Sequence, residues 1–174
     1  SQGTMNNLPF GDARLQYYET IAGGSGAGHG FPGCDAVQTH MTNSRLTDPE
    51  ILEERYPVRV REFAVRAGSG GPGRWRGGDG ARRRIEFLAP LQGAILANRR
   101  ATRAFGLDGG GEGQPGVTTI IRVDGRVDVL PACAAFVAAA GDVIEVLTPG
   151  GGGCGDAAAC VDAQTSVEPR KSLQ

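Results

Sequence analysis

A short polar run in the first third of the chain carries the residue types best suited to chemistry. Thr39–Glu53 reads Thr-His-Met-Thr-Asn-Ser-Arg-Leu-Thr-Asp-Pro-Glu-Ile-Leu-Glu. His40 can accept or donate a proton near neutral pH, because a free imidazole titrates there. Asn43 can polarise an amide oxygen, and Arg45 can bind an anion through two parallel hydrogen bonds. Because polar groups are costly to bury without partners, the run is either a solvated loop or a site.

Each of these residues also has an ordinary structural interpretation. His40 can be hydrogen-bonded inside a polar loop, and Arg45 can pair with one of the two acidic residues that follow it. Thr42, which we group with Asn43 as a ligand for an amide oxygen, can instead stabilise a turn, as can Asn43 itself. The residue types alone leave both interpretations open.

The glycine-rich loop Gly68–Gly80 holds a second set of candidate residues. Arg74 and Arg76 flank the single tryptophan, Trp75, and can close over an anionic substrate. The alternative is a packing loop in which Trp75 fills a core or an interface. A further arginine cluster fits a solvated face or a subunit contact better; it comprises Arg99, Arg100 and Arg103.

Glycine is the compositional outlier, with 29 of 174 residues grouped in clusters. Gly23–Gly28 follows a predicted strand but lacks the Gly-Lys-Ser/Thr ending of a phosphate loop. We interpret it as backbone that passes close to other backbone or to a substrate. Gly150–Gly153 can present N–H groups to an anion, or form a tight turn beside the polar run.

Apolar, β-branched segments between the glycine clusters predict about six or seven short strands. Thr47–Glu50 has the signature of a helix start, with a capping box, and Pro57 ends that helix. Asp124-Gly125 predicts a hairpin, and Glu62 marks a bulge. Residues 1–11 show no strand period.

The expected fold is α+β and β-dominated, with short antiparallel strands, glycine-rich loops and one short helix. The predicted strands lie within Arg14–Ala22, Val58–Ala67, Arg82–Phe87, Ala94–Asn98, Val117–Val123, Arg126–Leu130 and Val143–Leu147.

Composition limits the classes of partner. The net charge of −1 argues against nucleic acid bound by bulk charge, and no apolar run is long enough to cross a bilayer. No secretory signal opens the chain, and the four cysteines form no CxxC pair or zinc-finger spacing. We therefore expect free thiols in a reducing compartment and no metal site in this chain.

Residues 1–156 are expected to form one part of a domain and residues 157–174 a disordered tail.

Five blocks of sequence carry a resemblance to a known family. They are Ser1–Asn7, Tyr18–Ala27, Thr39–Glu53, Arg66–Gly80 and Thr148–Asp156. In this order they resemble the carboxy-terminal portion of the hydantoinase B/5-oxoprolinase family. The form Thr-Asn-Ser-Arg-Leu-Thr-Asp-Pro-Glu resembles the 5-oxoprolinases most. Gln38 departs from a histidine that family members often carry, and Cys154 from an aromatic residue.

The resemblance implies ATP-dependent opening of a cyclic amide, either 5-oxoproline to glutamate or a hydantoin relative. It implies that ATP is bound by a hydantoinase A-type part and that any divalent metal belongs to upstream sequence. On this basis the catalytic candidates are His40, Asn43 and Arg45. The substrate-binding candidates are Thr42, Arg74 and Arg76.

Two hypotheses follow from the resemblance. In the first, the chain is a segment of a longer B-type polypeptide and contributes loops to a site completed elsewhere, so it is not expected to act alone. In the second, it is a structural or docking fragment for the A-type part, without chemistry of its own. Both predict a cytoplasmic, oligomeric enzyme with a small cyclic amide as substrate.

Overall fold

A computed structural model describes residues 5–157, and it is built from nine strands and one α-helix. This confirms the predicted β-dominated fold with a single short helix. The proposed tail lies outside the described residues except for Ala157. In chain order the elements are β1 (Asn6–Gly11), β2 (Gln16–Thr20), a 3₁₀ helix (His40–Thr42), α1 (Pro49–Arg55), β3 (Val58–Arg66), β4 (Gly80–Phe87), β5 (Leu91–Ala97), β6 (Val117–Ile121), β7 (Val127–Leu130), β8 (Cys133–Ala138) and β9 (Val143–Leu147).

The strands form two antiparallel sheets that pack face to face. Sheet one has the order β2-β1-β5-β8, and sheet two has the order β3-β4-β9-β6-β7. Phe87 of β4 lies between the sheets, with its ring 5.5 Å from that of Phe10 and 6.0 Å from that of Phe136. Because these aromatic residues belong to one continuous buried cluster, the described residues share a single sandwich core.

Helix α1 begins and ends close to the predicted positions. The Asp48 carboxylate accepts a hydrogen bond from the Glu50 N–H at 3.0 Å, and the helix ends two residues before Pro57. The capping box based on Thr47 is wrong, because Asp48 occupies the N-cap and Glu50 therefore lies at the second helical position. Leu52 is fully buried and anchors the helix to the core.

Strands β1 and β8 were not predicted from the sequence. In β1 the inward positions are Asn6, Leu8 and Phe10, and all three are buried. Asn6 obscures the apolar period, yet it is tolerated inside because its Nδ2 donates to the carbonyl of Ile21 at 3.1 Å. The expectation that residues 1–11 contain no strand is therefore wrong. β8 was missed because alanine is a weak strand former.

A buried ion pair joins the two sheets. Glu19 of β2 accepts from the guanidinium of Arg83 of β4 at 3.0 and 3.3 Å, and each side chain is 1% exposed. The hydroxyl of Tyr17 donates to the same carboxylate at 3.0 Å. Loss of either charge would leave its partner buried and uncompensated, which costs about 3–5 kcal/mol.

The glycine clusters meet in a bundle of extended segments, which we call the glycine bundle (residues 22–27, 69–79, 104–114 and 149–155). Gly150–Gly153 runs through its centre. Three of these four glycines donate their N–H groups to carbonyls of the bundle, at 2.9 to 3.1 Å; the acceptors are Gln114, Gly78 and Gly111. The segment is thus neither a tight turn nor an anion-binding nest, and both of those expectations are wrong.

The bundle has no room for side chains at its centre. A Cβ placed on each residue of Gly150–Gly153 would lie only 1.8 to 2.1 Å from a carbonyl oxygen of a different neighbouring residue; these are Ser69, Ser25, Phe105 and Pro72. Gly24 is similar, because its Cβ would lie 1.9 Å from the Gly78 oxygen. This close approach confirms that Gly23–Gly28 is backbone packed against other backbone.

The packing of the bundle predicts a large effect of one added methyl group. Gly151→Ala should lower the free energy of unfolding by at least about 3 kcal/mol, because rigid backbone surrounds the new Cβ. Urea denaturation of the purified variant measures this loss. Gly30→Ala is the matched control: nothing lies within 4 Å of its Cβ, so only its left-handed φ of +91° costs about 1–2 kcal/mol. Equal losses in the two variants would contradict the packing argument.

The buried phenol of Tyr17 leads us to predict a loss of folding stability at alkaline pH. Burial and the charge of Glu19 raise the pKa of Tyr17 to about 12. A raised pKa contributes stability that is complete below the ordinary pKa of the phenol and is lost as the pH rises through the folded value. The free energy of unfolding should therefore fall between about pH 10 and 12. This fall should be smaller in Tyr17→Phe and unchanged in the exposed control Tyr18→Phe; denaturation at several pH values measures it.

Candidate functional site

The polar run forms an ordered loop, residues 38–45, which we call the polar loop. Two contacts anchor its beginning. The N–H of Val37 donates to the carbonyl of Gly23 in the glycine bundle at 3.0 Å, and Nε2 of Gln38 donates to the carbonyl of Thr20 at 2.6 Å. The loop therefore projects from the junction between the bundle and the end of β2.

His40 begins the 3₁₀ helix in a left-handed conformation, with φ at +53°. This region of backbone conformation is unfavourable for residues other than glycine. The side chain of His40 is exposed. Backbone strain of this kind is concentrated at functional sites, because the surrounding structure must hold it in place. The strain marks His40 independently of its chemistry, and no local pattern in the sequence predicts it.

Two polar atoms beside His40 are buried without a hydrogen-bond partner. They are Oε1 of Gln38 and Oγ1 of Thr39, although the Thr39 side chain lies in a capping-box arrangement with the backbone of Thr42. An unsatisfied buried polar atom costs about 1–3 kcal/mol, so such atoms need a specific reason. Neither residue is recognisable as a candidate from the sequence, because burial without a partner is visible only in the folded chain.

The remaining predicted residues of the polar loop divide into one buried and two exposed side chains. Thr42 is 6% exposed, and its hydroxyl donates to the carbonyl of Thr39 at 2.8 Å, which closes the turn. Asn43 and Arg45 are exposed. Among residues 5–157 Arg45 forms no ion pair with the acidic residues that follow it, and Asp48 instead caps α1. The loop thus presents His40 and these two side chains to solvent.

Arg74 and Arg76 make their contacts in the glycine bundle. Arg76 forms a salt bridge with the buried Asp79. The guanidinium of Arg74 lies 4.9 Å from the ring of Trp75, which also contacts the ring of His29 at 4.8 Å. These contacts match the packing-loop alternative for Trp75. The assignment of Arg74 and Arg76 to substrate binding stays a prediction, as do those of the polar-loop residues.

The polar loop is open to solvent on the described part of the chain. A depression of about 690 Å³ lies elsewhere, on the outer face of sheet one, between β1, β2 and β5. Since a hydrolytic site must control access of water, a site at His40 needs further protein surface to enclose it.

Within residues 5–157 no group of three or more His, Cys, Asp and Glu side chains is arranged to hold a metal ion. Three cysteines are free thiols, as predicted, and Cys160 lies outside the described range; the three are Cys34, Cys133 and Cys154. None of the described helices is long and apolar enough to cross a membrane.

Comparison with known proteins gives matches along most of the chain. The family described as Hydantoinase B/oxoprolinase matches residues 1–157. A 5-oxoprolinase of Dictyostelium discoideum and 5-oxoprolinase 1 of Arabidopsis thaliana are each 50% identical over 155 residues. These matches cover 89% of this chain but only 12% of each relative.

Two solved structures share the fold. An ATP-dependent caprolactamase from Pseudomonas jessenii superposes with a TM-score of 0.72 at 22% identity, over 95% of this chain and 33% of that one. A nucleotide-free acetone carboxylase superposes with a TM-score of 0.67 at 18% identity, over 87% of this chain and 26% of that one. At these identities the likeness establishes the architecture alone.

The left-handed His40 predicts that glycine is more stable at this position. His40→Gly should raise the free energy of unfolding by about 0.5–1 kcal/mol, because relief of strain exceeds the entropy that glycine loses on folding. Ala36→Gly is the matched control, since Ala36 has a φ of +43° in the preceding segment. Chemical denaturation of both variants tests this. A loss of stability in His40→Gly alone would show that contacts of the imidazole, rather than the surrounding backbone, maintain the loop.

Proposed function

The chain belongs to the hydantoinase B/oxoprolinase family, and we propose that it is part of an ATP-dependent cyclic amide hydrolase of the 5-oxoprolinase type. The observation that carries this proposal is the 50% identity with two 5-oxoprolinases, which extends across the polar loop. The chain corresponds to about one-eighth of each of those relatives, so the site is completed by sequence beyond it. In this proposal the enzyme is a cytoplasmic oligomer.

The polar loop has groups for each requirement of amide hydrolysis. Water adds to the carbonyl carbon, the C–N bond breaks, and the ring nitrogen takes a proton. His40 would transfer protons between the water and the leaving nitrogen. The side-chain amide of Asn43 would donate a hydrogen bond to the carbonyl oxygen, and Arg45 would bind the carboxylate of 5-oxoproline in a bidentate manner. Thr42 would hold the loop in shape through its bond to Thr39.

The unpartnered atoms of the loop complement a cyclic amide. Such a ring offers one N–H donor and one carbonyl acceptor. Oε1 of Gln38 is an acceptor, and the Thr39 hydroxyl can donate or accept. Because both atoms are buried, the loop would have to open for a substrate to bond with them and remove their desolvation cost. Arg74 and Arg76 would contribute positive charge at a greater distance, with Arg76 held by Asp79.

The glycine segments do not suit ATP. Their N–H groups, which would have to cradle phosphates, already donate to carbonyls; examples are Gly24 to Pro149, Ala27 to Gly152 and Gly151 to Gly78. We therefore assign ATP to a hydantoinase A-type partner and any divalent metal to the rest of the B-type sequence.

A docking function without chemistry is the second candidate, and one surface favours it. The outward positions of all four strands of sheet one are uncharged, and Tyr18, Leu96 and Val137 are each at least 48% exposed there. A charge-free face with exposed apolar side chains is typical of a surface that another protein covers. In this alternative the A-type part covers it.

A chimera tests the proposed function. The matching segment of the Dictyostelium 5-oxoprolinase is replaced by this chain, and ATP-dependent release of glutamate from 5-oxoproline is measured. We expect activity in the chimera. His40→Ala should then lower kcat by about 10²–10⁴-fold, the usual contribution of a general acid or base. Arg45→Gln should raise KM at least tenfold, because a bidentate carboxylate contact is lost.

The control is Arg126→Gln on the exposed β6–β7 hairpin, which should leave kcat and KM unchanged. A folded chimera without activity would contradict the proposal. Full activity in His40→Ala and Arg45→Gln, together with loss of activity in Val137→Glu, would favour docking instead.

A further inference from the structure

Arg66, the last residue of β3, is held in a fixed orientation without an acidic partner. Its Nη1 donates to the carbonyls of Pro115 and Thr148 at 2.8 and 3.0 Å. Within residues 5–157 its Nε and Nη2 form no hydrogen bond, and it takes part in no ion pair. The guanidinium is therefore positioned by neutral carbonyls, while one edge of its fork has no protein acceptor.

The acidic residues whose charges reach Arg66 are engaged elsewhere. They are Asp79 and Glu145. Asp79 pairs with Arg76, and Glu145 pairs with Arg82 at 3.1 Å. Burial and the nearby positive charge of Arg82 lower the pKa of Arg66. The surroundings of Arg66 therefore disfavour its own positively charged form.

Arg100 adds a second uncompensated charge close to the first. Its guanidinium donates only to neutral acceptors at 3.0 to 3.2 Å, which are the side chains of Asn6 and Thr118 and the carbonyl of Asn98. Its Nε is buried without a partner. Burial, followed by the charge of Arg66, lowers the pKa of Arg100 to about 10. Arg100 is therefore only partly exposed, which does not match the solvated-face interpretation, and the alternative of a subunit contact stays a prediction.

The two arginines contact neighbouring residues of one short piece of backbone. Arg66 donates to the carbonyl of Pro115, and Arg100 packs so closely over Gly116 that a Cβ there would lie 2.1 Å from its Nη1. Two like charges held together in a partly buried position are unfavourable unless an anion joins them. Their arrangement thus leaves a local excess of positive charge.

Arg66 also lines a concave surface of suitable size. A shallow depression of about 260 Å³ lies at the end of β3; its lining residues are Glu62, Val65, Arg66, Ala67, Arg82 and Leu147. Glu62 is the one acidic residue of this lining. Its carboxylate lies 3.7 Å from the guanidinium of Arg82 and 3.7 Å from that of Arg84, which is a long distance for an ion pair. The depression therefore combines a fixed guanidinium, a second arginine and three apolar residues.

We propose that this depression binds a small oxyanion, a carboxylate or a phosphate, with Arg66 as the bidentate ligand. Arg82, which also pairs with Glu145, lines the same depression, and Arg100 adds positive charge near Arg66. A planar guanidinium with a free edge matches the two oxygens of such a group. The inference stands apart from the proposed hydrolase function and from the polar loop.

Inorganic phosphate is the probe, and thermal unfolding of the 174-residue chain is the measurement. Phosphate is titrated at constant ionic strength, with chloride as the balancing anion, so that general screening is unchanged. At about ten times the dissociation constant, phosphate should raise the melting temperature by about 3–6 °C relative to chloride. Arg66→Gln should abolish this difference.

Two further variants make the test independent of any general loss of stability. Glu62→Gln removes the acidic group from the rim and should tighten phosphate binding about threefold. Arg126→Gln, on the distant hairpin, should leave the phosphate effect unchanged. The proposal is overturned if phosphate and chloride act alike on the parent chain and on Glu62→Gln, as expected where water alone occupies the depression. It is equally overturned if Arg66→Gln keeps the full phosphate effect.

Discussion

The close packing of backbone around Gly150–Gly153 is the constraint on which the rest of the structure depends. Each of the four glycines faces a carbonyl from a different residue, at distances that exclude any Cβ. The bundle also connects both sheets, because β2 of sheet one leads into residues 22–27, whereas β9 and β4 of sheet two adjoin residues 149–155 and 69–79. Backbone hydrogen bonds replace the apolar side chains that would normally fill such a region, and three of the four central N–H groups are satisfied within the bundle. Because these N–H groups already donate to carbonyls, they are not available to bind phosphate.

Charged side chains in this protein fall into three environments with different energetic consequences. Glu19 and Arg83 are fully buried, and their mutual bonds compensate their loss of hydration. Arg82 and Arg84 share Glu62 and Glu145 on the outer face of sheet two, where solvent screening limits such pairs to about 1 kcal/mol or less. Arg66 and Arg100 belong to neither class, since they are partly buried and bonded only to neutral groups. That imbalance, rather than the number of arginines, indicates an anion site.

The polar loop combines strain with incomplete hydrogen bonding. The left-handed His40 and the unpartnered atoms of Gln38 and Thr39 all carry energetic costs that packing elsewhere must offset. Its anchors, Val37 and Gln38, tie it to the glycine bundle and to β2, so a rigid base supports it. A loop that is rigidly mounted yet open to solvent fits a site completed by further protein. The chain accounts for only 12% of the length of its 5-oxoprolinase relatives, which agrees with such sharing.

Local chemistry determined the features that the sequence predicted well. The Asp124-Gly125 hairpin, the bulge near Glu62 and the start of α1 follow from turn residues, alternation and capping, each set within a few neighbouring positions. Candidate residues such as His40 and Arg45 were recognisable from their types and from the resemblance to a family. Only the tertiary structure revealed the inward Asn6, the left-handed His40, the partly buried Arg100 and the central position of Gly150–Gly153. These depend on partners far away in sequence, such as Ser25 against Gly151, and no local pattern records contacts over that separation.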